Sequence, residues 1–181
     1  MTKKIISIIA LGFLETSLAV AQWPVPKSPV IPQADGYSQI PNAVLRPDRD
    51  HTYKVVFQAK SFPAESTDLI PALNNAGAEL NAFGIEGVPK KNWKFVIVFY
   101  GSAVDGLLDE PHYKAKFGVS NPNLKVISEL KQEGVELYVC GQTLVYDKID
   151  SGTISPDIAI AADALIVLIK YQNMGYALLT F

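Results

Sequence analysis

The stretch Lys94–Tyr100 reads KFVIVFY, and no other segment constrains the fold as strongly. Successive side chains of a strand point to opposite faces, so a run this apolar must be covered on both sides. Such a strand belongs at the centre of a parallel sheet with a helical layer on each face. The neighbouring segments fit that frame. Tyr53–Ala59 (YKVVFQA) is a β-rich run. Leu69, Leu73, Ala76, Leu80 and Phe83 recur at helical spacing and predict a helix closing at Gly84, with Pro71 tolerable only in its first turn. Asn121 and Pro122 read as N-cap and first residue of a helix ending at Gly134. Val135–Cys140 predicts a third strand, Gly141–Ile149 a short helix and Asp157–Ala162 a fourth strand. Asp163 then caps a helix running to Met174 and stopped at Gly175, and Tyr176–Phe181 is a last strand. Strands separated by helices in this way predict an α/β fold over residues 51–181, a three-layer α/β/α sandwich with a mainly parallel five-stranded sheet.

Two different kinds of sequence precede this pattern. Lys3 and Lys4 are followed by the apolar run Ile5–Leu14, broken only by Ser7 and Gly12, and then by Ala19-Val20-Ala21. This predicts a signal peptide over residues 1–21, cleaved before Gln22, and export to the periplasm or the medium. The run is short for a bilayer crossing, which takes about 20 apolar residues, so no membrane span is expected after processing. Trp23–Pro32 holds Pro24, Pro26, Pro29 and Pro32. It predicts an extended, polyproline-like arm outside the core, continued irregularly so that the arm spans residues 22–50.

Charge and cysteine content narrow the function. The chain has 16 Lys and Arg against 18 Asp and Glu; without Lys3, Lys4 and Glu15 of the leader this becomes 14 against 17. Nucleic-acid binding needs a basic face, and only Lys90, Lys91 and Lys94 cluster, so that class is set aside. One cysteine cannot form an intrachain bridge, which leaves Cys140 as a buried hydrophobe, an intermolecular partner or a functional thiol. Ligands of such sheets bind beyond the carboxyl ends of the strands, where Cys140 stands, so its thiol is expected to be at least partly accessible there. The N–H groups of a helix starting there favour thiolate, the nucleophilic form. Gly141 allows a sharp turn beside it, and Gln142 follows.

Tyr100, Gly101, Ser102 and Ala103 follow the central strand and are expected beside Cys140 at the same edge. Gly101 permits close approach to a ligand and Ser102 supplies a hydroxyl; the alternative is a plain strand-to-loop turn. The Gly101–Gly106 span matches a phosphate loop, but Leu107 stands where lysine is required. His112 lies in the polar segment 105–123, long enough for a lid or an oligomer contact. It either folds over Cys140 or is an exposed loop histidine. His51, His112 and one cysteine show no metal-ligand spacing, so no metal site is expected. No dinucleotide fingerprint, nucleophile elbow or Ser-His-Asp motif is present, and no cofactor is expected. Asn74, Asn75 and Asn81 sit in the first helix among apolar residues and ask for a reason, either solvent or a subunit contact.

Asn121–Leu144, NPNLKVISELKQEGVELYVCGQTL, and Tyr171–Phe181, YQNMGYALLTF, resemble the DsrE/DsrF-like family. The likeness rests on Gly-Val-x-x-x-Val-Cys-Gly-Gln and the terminal Gln-x-x-Gly-Tyr-Ala, and it covers about Tyr53 to Phe181. It implies a three-layer α/β/α fold and assembly into homo- or hetero-oligomers, including trimeric rings and hexamers. In the sulfur-oxidation and tRNA-thiolation members it implies a cysteine carrying sulfane sulfur as a persulfide, exchanged with donor and acceptor proteins; by residue match that cysteine is Cys140. Those relays work in the cytoplasm, whereas this chain begins with an export signal. Two functions result: an exported thiol-dependent sulfur carrier, or a non-catalytic oligomeric binding module in which Cys140 is packing. Ala164–Ile169 adds a residue-level argument for a trimer or hexamer. Six apolar residues in succession encircle a helix, so its outer side needs a neighbouring subunit, or else residues 33–50 folded back over it.

Overall fold

The computed structural model describes residues 23–181, so the signal-peptide expectation for residues 1–21 lies outside them. Its strands are β1 (Tyr53–Ala59), β2 (Trp93–Phe99), β3 (Glu136–Cys140), β4 (Ala159–Ala161) and β5 (Ala177–Thr180). They form one sheet in the order β4-β3-β2-β1-β5, every neighbouring pair parallel. KFVIVFY takes the central position, with Ile97 beside both Phe57 of β1 and Leu137 of β3. The helices are α1 (Pro71–Glu86), α2 (Glu110–Phe117), α3 (Asn123–Gln132), α4 (Gly141–Tyr146) and α5 (Ala164–Asn173).

The period-2 alternation of the strands divides the core into two layers. On one face Phe57, Phe95, Ile97 and Leu137 pack with Leu73 and Leu80 of α1 and Leu130 of α3. On the other, Val56, Val96, Val98 and Cys140 pack with Ala164, Val167, Leu168 and Tyr171 of α5. The three-layer sandwich is therefore realised, and its sheet is wholly parallel.

Three local readings change. The polar segment 105–123 contains α2, started by Asp109, whose carboxylate accepts the His112 N–H, and ended by Gly118 in the left-handed region. Helix α1 passes through Gly84 and stops at Gly87, whose φ of 81° and N–H bond to the Phe83 carbonyl make the C-cap. Gly84 is needed instead for close approach, since a Cβ there would lie 2.6 Å from Val30 of the arm. The arm itself is not outside the core. Ile31 and Ala34 are buried against α1, and Lys27 bridges antiparallel to Tyr37. Asn81, fully buried, holds this strap: its side-chain oxygen accepts the Val30 and Ile31 N–H groups, and its amide donates to the carbonyls of Ile31 and Asp35. Asn74 pairs with Asp35 through backbone and side chain. The asparagines at 74 and 81 thus serve the arm.

Candidate functional site

Strand β3 ends at Cys140, on the α5 face and beside Ala161 of β4. Chain reversal beyond β4 brings Asp163, the N-cap of α5, over the sulfur. The Ala164 N–H donates to Sγ at 3.3 Å, and the thiol donates to Asp163 Oδ1 at 3.6 Å. That carboxylate also accepts the Leu165 N–H, so one residue caps the helix and meets the thiol. The helix pointing its first N–H at the sulfur is therefore α5, not the adjoining α4. Cys140 is 4% exposed, so the accessible thiol expected at this edge is a buried one. The cause is the crossing of α5 over β3, which the local sequence does not display.

Gly141 belongs to this packing, because a Cβ there would stand 2.8 Å from the Ala161 carbonyl oxygen. Gln142 donates through Nε2 to the Ala162 carbonyl, which ties α4 to the β4–α5 turn. Gly101 also reaches the site: its N–H donates to Thr143 Oγ1 of α4 at 3.3 Å. Ser102 is committed elsewhere, accepting the Phe62 N–H and donating to the Lys60 carbonyl. His112 is not brought to Cys140. Its ring bonds Asp109 at 2.5 Å, and Tyr113 beside it packs in the core layer on the other face of the sheet. The Asp109 carboxyl is held below the usual range, first by the His112 backbone N–H and then by its ring. Among the described residues no group of three His, Cys, Asp or Glu could hold a metal ion.

Tyr100 lies at this edge as its place after the central strand implies; Gln58, Glu136 and Tyr138 were not singled out in the sequence. Tyr100 packs against the Cys140 layer, and its hydroxyl bonds the Gln58 amide. Gln58 in turn accepts from Thr180 of β5. At the other end of the face, the Tyr171 and Tyr138 hydroxyls both donate to Glu136. Burial, with the Tyr138 and Glu136 bonds, raises the Tyr171 hydroxyl far above its ordinary value. Asp163 was legible as a helix cap, but its place over Cys140 follows from β4 lying beside β3, an adjacency that no sequence signal gives.

Comparison with known proteins gives a consistent family and fold. A family model described as the DsrE/DsrF-like family matches residues 53–181. No curated protein matches the chain. Among solved structures it is similar to MTH1491 of Methanobacterium thermoautotrophicum, described as a protein of unknown function. That likeness has 17% identity and a TM-score of 0.52, over 71% of this chain and 99% of that one. It is also similar to the ychN protein from E. coli, with 18% identity and a TM-score of 0.51, over 72% of this chain and all of that one. At these identities the likeness concerns the fold.

Proposed function

We propose, from the premise that this chain belongs to the DsrE/DsrF-like family, that it is an exported carrier that takes up and passes on one sulfane sulfur atom at Cys140. The observation carrying this reading is the hydrogen bond from the first N–H of α5 to the sulfur. A helix N-terminus favours negative charge, and a thiolate or persulfide anion on Cys140 keeps that donor. The chemistry is an exchange without net oxidation. The Cys140 thiolate attacks the outer sulfur of a donor persulfide or polysulfide, a new S–S bond forms, the donor's S–S bond breaks, and the donor leaves as its thiolate. An acceptor thiolate reverses the step. Because the sulfur is buried, reaction requires local opening of the Cys140–Asp163 contact and is slow compared with a free thiol.

Two further elements of the proposal rest on sequence and surface. Export is supported by the Lys3-Lys4 start, the apolar run and Ala19-Val20-Ala21. A homo-oligomer, trimeric or hexameric, is supported by the outer side of α5. Leu165, Ile166 and Ile169 are each 58% exposed there, and the arm that might have covered them is strapped to α1 on the opposite face. No helix of the described residues is long and apolar enough to cross a membrane.

A second reading, a binding or assembly module with Cys140 as packing, is favoured by one specific fact. The neutral thiol already has a donor in Ala164 and an acceptor in Asp163. One experiment separates the two. The protein is treated with inorganic polysulfide, freed of excess reagent and weighed intact, alongside Cys140→Ser. The carrier gains one sulfur atom, loses it to a thiol reductant, and gains none as Cys140→Ser. If the folded wild type never gains sulfur while denatured protein does, the thiol is packing.

A further inference from the structure

On the α1 face of the sheet, away from Cys140, α1 packs on β1 and β2 and leaves the β5 side to the arm. Between α1, the β1–β5 edge and arm residues 36–47 lies a cavity of about 680 Å³. Its wall is apolar, with Tyr53, Phe57, Phe83, Leu179 and Phe181 contributing, and the exposed Leu45 forms part of its lip. The volume lies within the range of about 300–1,000 Å³ of small-molecule sites, which share this make-up of apolar walls and few polar groups.

The polar groups decide what would fit. Tyr37 and Arg46 line the cavity, but both are committed to Glu86. That leaves Asn75 and Glu79, one helical turn apart on α1, with no hydrogen-bond or ion-pair partner among the described residues. Glu79 is at the exposed rim, and desolvation by the surrounding wall raises its carboxyl above the ordinary value. An apolar wall with, at its rim, a carboxylate that has no ion-pair partner among the described residues is complementary to an apolar body bearing a positive head. We propose that this cleft binds a small amphipathic amine, its hydrocarbon or aromatic body against Phe57, Phe83 and Phe181 and its ammonium on Glu79. The site lies on the opposite face of the sheet from Cys140, so it does not depend on the sulfur-carrier reading.

The test uses three probes with one chain and different heads: decylamine, decanol and decanoate, each below its micelle-forming concentration, titrated calorimetrically into the protein. Decylamine should bind at a single saturable site about fivefold tighter than decanol, the scale of one rim ion pair, with decanoate weakest. Glu79→Gln should remove the advantage of the amine and leave decanol unchanged. Glu79→Lys, a change at an exposed position, should invert the order in favour of decanoate. Phe181→Ala should weaken all three. Absence of saturable binding, or an order of affinities that survives Glu79→Lys, would overturn the assignment. So would substitutions at Glu79 that alter the oligomeric mass instead of ligand affinity, since the cleft would then be a subunit contact.

Discussion

Glu86 is a carboxylate with only 4% exposure, and its hydrogen bonds explain how a proline-rich arm stays attached. Burial alone would raise its carboxyl. The bonds from Tyr37, Arg46 and Gln39, with the Arg46 charge, more than reverse this and hold it below the ordinary carboxylate range. A carboxyl lowered in the folded state contributes stability above its unfolded value, and that contribution is lost as pH falls through the folded value. The urea midpoint should therefore fall below about pH 4, and Glu86→Gln should flatten that acid-side decline. Arg46→Ala leaves the buried carboxylate short of its cation. It should cost about 1–3 kcal/mol at neutral pH, less than for a fully buried pair because Arg46 is itself partly exposed. An unchanged urea midpoint in Arg46→Ala would show the pair to be incidental. None of this was legible in the sequence, because Glu86 and Arg46 are far apart in the chain and each is ordinary for its segment. At Cys140 the sequence disclosed the strand end and the cap at Asp163, but not that the cap of one helix closes over the end of another strand.

Among the elements, α1 and α5 show where pattern reading succeeds and where it stops. The apolar stripe of α1 was legible from Leu69 to Phe83, and the helix continues beyond it because Gly84 accommodates Val30 rather than ending a turn. Helix α2 was hidden because its short span buries little besides Tyr113, although Asp109, Pro111 and Gly118 are its punctuation. The arm was hidden because proline content speaks of extended backbone and says nothing of what the backbone lies on. Asn81 is the residue that fastens it. Asn81→Ala removes four hydrogen bonds and should cost about 2–4 kcal/mol, with protease cleavage appearing within residues 27–40 before the sheet domain is attacked. An arm still protected in Asn81→Ala would assign its attachment to Ile31 packing instead. In α5 the sides are now distinguishable. Val167 faces the sheet, so Val167→Glu should unfold the protein, whereas Ile169→Glu, on the outer side, should leave it folded. If the outer side is the subunit contact, light scattering should give a trimeric or hexameric mass for the wild type and the mass of one chain for Ile169→Glu. A monomeric wild type would contradict the assembly.

For the whole molecule, the parallel sheet and its two helical layers were legible because KFVIVFY leaves few alternatives and helical segments separate the strands. The covering of each face was less so. One face receives α1, α3 and the arm, the other α5, and this unequal division creates both the buried thiol and the cleft beside β5. In the function proposed above, the mature protein is an exported sulfur carrier acting through Cys140. The most direct test of that function is the intact mass of the protein recovered, without added sulfur, from the envelope fraction of producing cells. An exported carrier gives a species of the mass of Gln22–Phe181 plus one sulfur atom, converted by thiol reductant to the bare chain and missing from Cys140→Ser. A full-length chain in the cytosol, or a mature chain that never carries the extra sulfur, would contradict it.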